Sequence, residues 1–143
     1  MSDVVRTDTA PAPVGAYPHA RRVGQLLFLS GVGPREPGSN AIPGNVYDAD
    51  GKLTGYDIER QCRQVFANVR AVLEASGALW EDLVDVTVFL TDMARDFPAY
   101  NRLYAEYFKG VDACRTTLGI TALPTPIAIE LKCVAALPAS SQP

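Results

Sequence analysis

A guanidinium group and a hydroxyl group lie two residues apart in the segment Arg115-Thr116-Thr117. In an extended strand alternate side chains point to the same face, so Arg115 and Thr117 are expected to project together. Arginine binds a carboxylate through two parallel charge-assisted hydrogen bonds, which set the orientation of the ligand as well as its charge. The pair therefore indicates a site for an anionic ligand, and a structural salt bridge at the start of a strand is the alternative.

A carboxylate, Glu130, interrupts the otherwise apolar run 127–131. An ionised carboxylate is costly in apolar surroundings unless it is paired or its pKa is raised. A carboxyl group of this kind can orient a water molecule and move its proton when the water attacks a C=N carbon. The alternative is a glutamate on an exposed sheet face beside Lys132.

Weaker signals come from two glycine-containing turns, a histidine and a cysteine. Residues 15–19 and 30–34 flank the first apolar segment and could bring backbone N–H groups against a ligand, although most such turns are only turns. His19 is the single histidine, and in a proline-flanked loop it is more often a surface residue than an acid-base group. Cys114 could act as a nucleophile beside Arg115, but strand alternation points it to the other face, so covalent catalysis is the less favoured alternative.

The elements that must position these groups follow from apolar periodicity. Asp57 is expected to cap a long amphipathic helix that ends at Gly77. Asp96 is expected to cap a second helix that runs to Gly110, with Pro98 in its first turn. The predicted strands are residues 25–30, Val46–Tyr47 and 52–53 as a hairpin, 83–91, 115–123 and 127–136.

Two amphipathic helices require an apolar sheet face to cover, so a single sheet with both helices on one side is expected. The helix-facing side of strand 83–91 should carry Val84, Val86, Val88 and Leu90. The other sheet face would carry Phe89, Arg115 and Glu130. Because this second face is partly apolar, we expect it to be buried against another copy of the chain.

Length and composition limit the class of protein. A chain of 143 residues fits one domain, with residues 1–8 and 138–143 expected as loose termini. A net charge of -3 without basic clusters argues against nucleic acid as a partner. No apolar run approaches the roughly 20 residues that cross a bilayer, and the polar start does not resemble a secretory signal, so a cytoplasmic protein is expected. Three scattered cysteines and one histidine predict neither a disulfide framework nor a metal site.

Several motifs together resemble the RidA/YjgF/YER057c/UK114 family over roughly residues 8–137. The motifs occur in the order and spacing of the family: Gly15-Ala16-Tyr17, Ser30-Gly31, Asn68 in the long helix, Asp96-Phe97, Asn101, Arg115-Thr116-Thr117, Leu123-Pro124 and Ile129-Glu130. The resemblance implies an α+β, chorismate-mutase-like fold with a single mixed sheet and two helices packed on one face. It also implies a homotrimer with ligand sites between the subunits.

The resemblance further implies roles for single residues. In the family, the arginine that matches Arg115 holds the substrate carboxylate, and the glutamate that matches Glu130 positions a hydrolytic water without a cofactor. Tyr17, Ser30 and Asn101 match positions that line the cleft. Phe89 and Thr117 complete the binding residues expected on the strands.

Some positions differ from the generalist members of the family, which hydrolyse 2-aminoacrylate-type imines. Thr117 stands where those members usually have cysteine, Val32 where they commonly have glutamine, and Pro18-His19 where they usually have Ser-Gln. The surrounding segments look more like the 2-aminomuconate deaminases of aromatic-compound catabolism. The generalist pocket is therefore not the first expectation.

The resulting hypothesis is hydrolysis of 2-aminomuconate, a dicarboxylate enamine, to 4-oxalocrotonate and ammonia. Arg115 would hold the carboxylate beside the reacting carbon, and Glu130 would hold and deprotonate the water. His19 or Arg35 would meet the distal carboxylate. The alternatives are a generalist 2-iminobutanoate/2-iminopropanoate deaminase and a non-enzymatic trimeric ligand-binding protein.

Overall fold

Six strands form the main sheet of the protein, whose computed structural model describes residues 3–138. Their order in the sheet is β1-β2-β3-β8-β6-β7, with β6 and β7 parallel and the other neighbours antiparallel. A separate hairpin is formed by β4 (Val46–Tyr47) and β5 (Leu53–Gly55), as predicted. The strands of the main sheet are β1 Val4–Val5, β2 Ala20–Val23, β3 Leu26–Leu29, β6 Leu83–Leu90, β7 Cys114–Gly119 and β8 Ile129–Ala136.

Helix α1 (Ile58–Ala75) lies where the sequence predicts it. The side chain of Asp57 accepts hydrogen bonds from the backbone N–H groups of Glu59 and Arg60, which satisfies two donors that the first turn leaves free. Beyond the C-terminus, Gly77 adopts a φ of 77°, a conformation that favours glycine. The buried side of α1 packs on the sheet, chiefly on β8. Within the described range, neither helix is both long and apolar enough to cross a bilayer.

Helix α2 (Met93–Phe108) begins one turn earlier than predicted. Its N-cap is Asp92, whose carboxylate accepts a backbone N–H at 3.1 Å. The prediction of Asp96 as the cap was wrong, because Asp96 is buried within the helix and accepts a hydrogen bond from the hydroxyl of Tyr56 at 2.6 Å. Pro98 therefore lies inside the helix rather than in its first turn.

Strand β6 has a register shift near its start that changes which side chains face the helices. Between Leu83 and Asp85 the strand has one residue more than its partner β8, and Val84 is 40% exposed as a result. The expectation that Val84 faces the helices was therefore wrong, because an extra residue interrupts the alternation. Beyond the shift, Val86 and the alternate residues after it are buried as predicted.

The sheet register places Arg115 and Glu130 on opposite faces. Arg115 pairs with Val86, which in turn pairs with Cys133, and both of these partners are buried beneath the helices. Glu130 pairs with Phe89 on the other face, here called the open face. The expectation that Arg115 shares this face was wrong, because the parallel register of β7 against β6 decides its direction.

The β2–β3 hairpin was not predicted, and the start of the chain joins it. Gly24 turns the chain between the strands with a φ of 62°. Val4 and Val5 pair with Arg21 and Ala20, so this part of the expected loose segment 1–8 is a strand. Residues 1–2 and 139–143, which include most of the expected loose end 138–143, lie outside the described residues.

The open face exposes several large apolar side chains. Register and alternation place them on the same side of the sheet as Glu130. They are Val23, Leu26, Phe28 and Leu118, each at least 38% exposed. We expect a second copy of the chain to cover this face.

The N-cap of α2 can be tested by the substitution Asp92→Ala. Loss of a capping carboxylate is expected to lower the free energy of unfolding by about 1 kcal/mol. The control is Glu106→Ala on the exposed side of the same helix, which is expected to stay within about 0.5 kcal/mol of the wild type. Urea unfolding followed by circular dichroism measures both. Equal stability of the two variants would contradict the assignment of Asp92 as the cap.

Candidate active site

A cleft of about 360 Å³ opens beside Glu130 on the open face of the sheet. Its walls come from residues 14–17, residues 30–35, residues 124–127 and strand β8. The polar side chains that line it belong to Tyr17, Ser30, Arg35, Thr125, Glu130 and Lys132. The structure therefore brings together four candidates from the sequence analysis: Tyr17, Ser30, Arg35 and Glu130.

The carboxylate of Glu130 is half-buried in this cleft and has no partner. Burial raises the pKa of Glu130, because desolvation disfavours the ionised form. No hydrogen-bond donor or cation within residues 3–138 lies at bonding distance from it. A carboxylate with free lone pairs and a raised pKa is suited to accept a proton from a bound water.

Gly31 allows the backbone of the 30–35 loop to approach this carboxylate closely. A β-carbon at position 31 would lie 2.6 Å from Oε2 of Glu130 and 3.0 Å from its Cδ. Such distances are shorter than real contacts, so any other residue would force the carboxylate to move. Glycine at this position therefore sets where the carboxylate lies in the cleft.

Asn68 fixes the loop that carries Arg35. From the buried side of α1, its amide group donates to the backbone carbonyls of Gly33 and Arg35 at 2.8 and 2.7 Å. The guanidinium of Arg35 donates to the carbonyl of Ala12 at 2.6 Å and to the side chain of Asn40 at 2.8 Å. These contacts hold one wall of the cleft and leave further donors of the guanidinium free.

Gln61 performs the same task for the opposite wall. Its side-chain carbonyl accepts the backbone N–H of Ala128 at 2.8 Å, and its amide donates to Asn45 at 2.9 Å. Asn45 in turn donates to the carbonyl of Pro126 at 2.9 Å. Sequence reasoning missed Gln61, and it named Asn68 as a family motif without assigning it a role. The available signal was their spacing of seven residues, which places two amides on the buried stripe of a helix.

Tyr17 and Ser30 are also held by the backbone. The hydroxyl of Ser30 donates to the carbonyl of Pro18 at 2.7 Å. The hydroxyl of Tyr17 accepts the N–H of Val14 at 3.2 Å, so its proton is free for another acceptor. Both side chains line the cleft that contains Glu130.

His19 does not line this cleft and is engaged by the backbone on both ring nitrogens. Nδ1 accepts the N–H of Thr7 at 3.3 Å, and Nε2 donates to the carbonyl of Pro11 at 2.9 Å. This pattern assigns the neutral tautomer to His19 and ties the 7–11 segment to β2. Across residues 3–138, no group of three or more His, Cys, Asp or Glu side chains is placed to hold a metal ion.

Arg115 lies on the edge strand β7 against helix α2. Its guanidinium donates to Oδ1 of Asn101 at 2.8 Å and packs over the rings of Tyr104 and Tyr100, 4.7 and 5.5 Å from their centroids. Thr117 lies on the same face, with Oγ1 3.1 Å from the hydroxyl of Tyr100. No carboxylate in the described part of the chain forms an ion pair with Arg115, which is exposed. The guanidinium is therefore oriented but not neutralised.

A single chain thus presents two separate clusters of candidate residues, here called the arginine half and the glutamate half. The arginine half contains Arg115, Thr117 and Asn101 at the sheet edge beside α2. The glutamate half contains Glu130 in the cleft, with Phe89 next to it on the open face. The guanidinium and the carboxylate that the sequence analysis singles out therefore lie on different faces of the sheet.

The fold is that of a small α+β protein with two separate clusters of candidate site residues. The sequence pattern of the family described as Endoribonuclease L-PSP matches residues 7–137. The chain belongs to this family, which is also known as the RidA/YjgF/UK114 family, as its motifs predict.

Named relatives and a solved structure agree with this assignment. Reactive Intermediate Deaminase A, chloroplastic, of Arabidopsis thaliana is 38% identical over 135 residues, which cover 94% of this chain and 66% of that protein. The 2-iminobutanoate/2-iminopropanoate deaminase of Dermatophagoides farinae is 32% identical over 132 residues, which cover 92% of this chain and 93% of that protein. The crystal structure of the YjgF gene product from E. coli matches with a TM-score of 0.79 at 30% identity, covering 94% of this chain and 98% of that chain. The predicted α+β fold with two helices on a mixed sheet is confirmed.

The substitution Gly31→Ala tests the close approach of the loop to Glu130. The added methyl group is expected to displace the carboxylate and to lower the rate of ammonia release from an imine or enamine substrate roughly 10-fold or more. Small misplacements of reacting groups slow a reaction strongly. The matched control is Gly55→Ala, where a β-carbon meets nothing within 4 Å. Activity and thermal unfolding are measured for both variants. Full activity of Gly31→Ala would show that the position of the carboxylate is not critical.

Proposed function

We propose that the protein hydrolyses an enamine or imine of a carboxylic acid and releases ammonia. One observation carries the proposal: among residues 3–138, no anion pairs with the oriented cation Arg115 and no donor reaches the half-buried carboxylate of Glu130. Two such groups suit a substrate that carries a carboxylate next to a carbon attacked by water. The deaminase names of the two relatives support the same class of reaction.

The two halves of the site would meet between neighbouring copies of the chain. Within one chain they project from opposite faces of the sheet, so one substrate cannot contact both. A ring of copies, which the family resemblance suggests to be a trimer, would place the arginine half of one copy over the cleft of the next. The apolar side chains on the open face favour such an interface, because assembly would remove them from contact with water.

The reaction follows from the chemistry of these groups. The enamine first tautomerises to the imine, whose carbon is electrophilic. Arg115 of one copy holds the adjacent carboxylate while Glu130 of the next accepts a proton from a water whose oxygen bonds to this carbon. Glu130 passes this proton to the imine nitrogen, which gives a carbinolamine. It then takes the hydroxyl proton of the carbinolamine and delivers it to the nitrogen as the C–N bond breaks and the C=O bond forms, which releases ammonia and leaves the 2-oxo acid. The raised pKa of Glu130 aids the return of the proton, and no cofactor takes part.

The remaining candidates would line the shared pocket. The hydroxyl groups of Tyr17 and Ser30 lie in the cleft. The hydroxyl of Thr117 and the amide of Asn101 lie on the other side of the sheet, beside Arg115. Phe89 would form an apolar floor next to Glu130. Each of these side chains is a proposed binding residue.

We propose 2-aminomuconate as the substrate, with 4-oxalocrotonate as the product. Thr117 stands where the generalist members usually have cysteine, and of the two residues that the sequence suggests for the distal carboxylate, Arg35 is the one that lines this cleft. Arg35 is preferred to His19 for this contact, because both ring nitrogens of His19 are engaged by the backbone. The alternative is a generalist deaminase of monocarboxylate imines, which the name of the Dermatophagoides farinae relative supports.

Subunit mixing tests whether the site is shared. Arg115→Ala is expected to lower kcat/KM roughly 100-fold or more, because a carboxylate loses its charged partner. Glu130→Gln is expected to lower kcat about 100-fold or more, because the base is lost. Hybrids of equal amounts of the two variants should recover about a quarter of the wild-type sites, since each site draws its two groups from different copies in a ring. Ammonia release is measured.

The control mixes Arg115→Ala with the double variant Arg115→Ala, Glu130→Gln, which cannot rebuild a site. Hybrids that stay as inactive as their parents would contradict a site shared between copies. Wild-type rates with freshly generated 2-aminomuconate and with 2-aminoacrylate are compared in the same assay. Faster turnover of 2-aminoacrylate would favour the generalist alternative, and no turnover of either would favour a ligand-binding protein.

The pH dependence of the reaction should show the raised pKa of Glu130. Only the ionised carboxylate accepts a proton, so kcat/KM is expected to fall as the pH is lowered through the pKa of Glu130. Because burial raises this pKa, the fall should occur at a higher pH than it would for an exposed glutamate. The effect on stability has the opposite sign. Because burial favours the neutral form of Glu130, the free energy of unfolding is expected to fall as the pH rises through the pKa of Glu130 in the folded state. Profiles for the wild type and Glu130→Gln measure both effects. A wild-type acidic limb at the pKa of an exposed glutamate would contradict the assignment.

A further inference from the structure

A second cation, Lys132, lies in the cleft beside Glu130. It follows Glu130 by two positions on β8, so the two side chains share the open face, about 7 Å apart along the strand. Lys132 lines the cleft and is half-buried. Its amine donates a hydrogen bond to the backbone carbonyl of Leu29, which leaves two of its three donors free.

The charge of Lys132 is not balanced within the chain. No carboxylate among residues 3–138 lies within 4.0 Å of its amine, although Glu130 is its near neighbour on the strand. Taking a cation partly out of water without an anion is costly. The cleft also contains Arg35 on another wall, so its cations outnumber its carboxylates by two to one. An anionic ligand would offset this cost.

We propose that Lys132 is a specificity residue that binds a second carboxylate of the substrate, so that the site selects 2-enamino dicarboxylates over monocarboxylates. This inference rests on the proposed function and names a determinant of its substrate class. The first carboxylate would be held by Arg115 of the neighbouring copy. The second would reach Lys132, which lies about 7 Å from Glu130 along the strand.

Lys132 is better placed for this contact than the other cations of the cleft. Two donors of Arg35 already hold Ala12 and Asn40, so its guanidinium supports the loop as well as facing the cleft. Lys132 projects from the same strand and the same face as the proposed base, two residues further along β8. The competing role for Lys132 is purely structural, namely to hold the carbonyl of Leu29.

Kinetics with two substrates separate these roles. Lys132→Gln keeps a donor for Leu29 but removes the charge, and Lys132→Met removes both. We expect both variants to raise KM for 2-aminomuconate roughly 10-fold or more and to leave KM for 2-aminoacrylate unchanged, because only the dicarboxylate loses a charged contact. Lys132→Arg should restore most of the affinity. The matched control is Lys52→Gln in the exposed hairpin.

Two results would overturn the inference. KM values that rise equally for both substrates would indicate a structural role, and unchanged KM values for both would show that Lys132 makes no contact. If Lys132→Met does not fold, Lys132→Gln and Lys132→Arg still decide the comparison.

Calorimetry with unreactive anions keeps this test separate from the proposed reaction. Adipate should bind the wild type at least 10-fold more tightly than hexanoate, and Lys132→Gln should abolish the difference. Preferential binding of adipate by a wild type that releases no ammonia would refute the proposed reaction and retain the carboxylate contact. Equal binding of adipate and hexanoate by an active wild type would refute the contact and retain the reaction.

Discussion

The alternation of side chains across the central sheet is the constraint on which the site depends. Because neighbouring strands are held in register by backbone hydrogen bonds, Arg115 must share a face with Val86, and Glu130 must share the opposite face with Phe89. No side-chain rotation can bring the two charges together within one chain. Any chemistry that uses both groups therefore requires a second copy, and the same open face that carries the carboxylate also carries the apolar side chains that a second copy would cover.

Buried polar side chains of helix α1 hold the loops that line the cleft around Glu130. A buried amide is stabilising only when its donors and acceptors are paired, and here the partners of Gln61 and Asn68 are the backbones of two loops. The hydrogen bonds that satisfy the helix therefore also fix both walls of the cleft. Gly31 completes this arrangement by admitting the backbone to a distance that a β-carbon would prevent. The loops that form the cleft therefore share their hydrogen-bonding partners with the core.

Unbalanced charge distinguishes the proposed site residues from residues in ordinary surface ion pairs. Arg102 pairs with Glu59 at 2.9 Å on the surface, an ordinary exposed ion pair of small energetic value. Arg115, by contrast, is oriented by an amide and by aromatic rings, none of which neutralises it. Glu130 is the complementary case of an acid that is partly desolvated and unpaired. Charges that the fold orients without neutralising are available to a ligand, which supports the proposed reaction.

The sequence by itself determined the elements whose signals are local. The cap at Asp57 and the period of α1 needed only neighbouring residues, and the family motifs were sufficient to predict the α+β fold. The cap of α2 was not determined, because Asp92 and Asp96 fit the same local pattern and only the contact with Tyr56 distinguishes them. The face of Arg115 likewise depended on the pairing of β7 with β6, a long-range choice that leaves no trace in the strand itself. Only the tertiary structure could decide these points, because register and burial are set by partners distant along the chain.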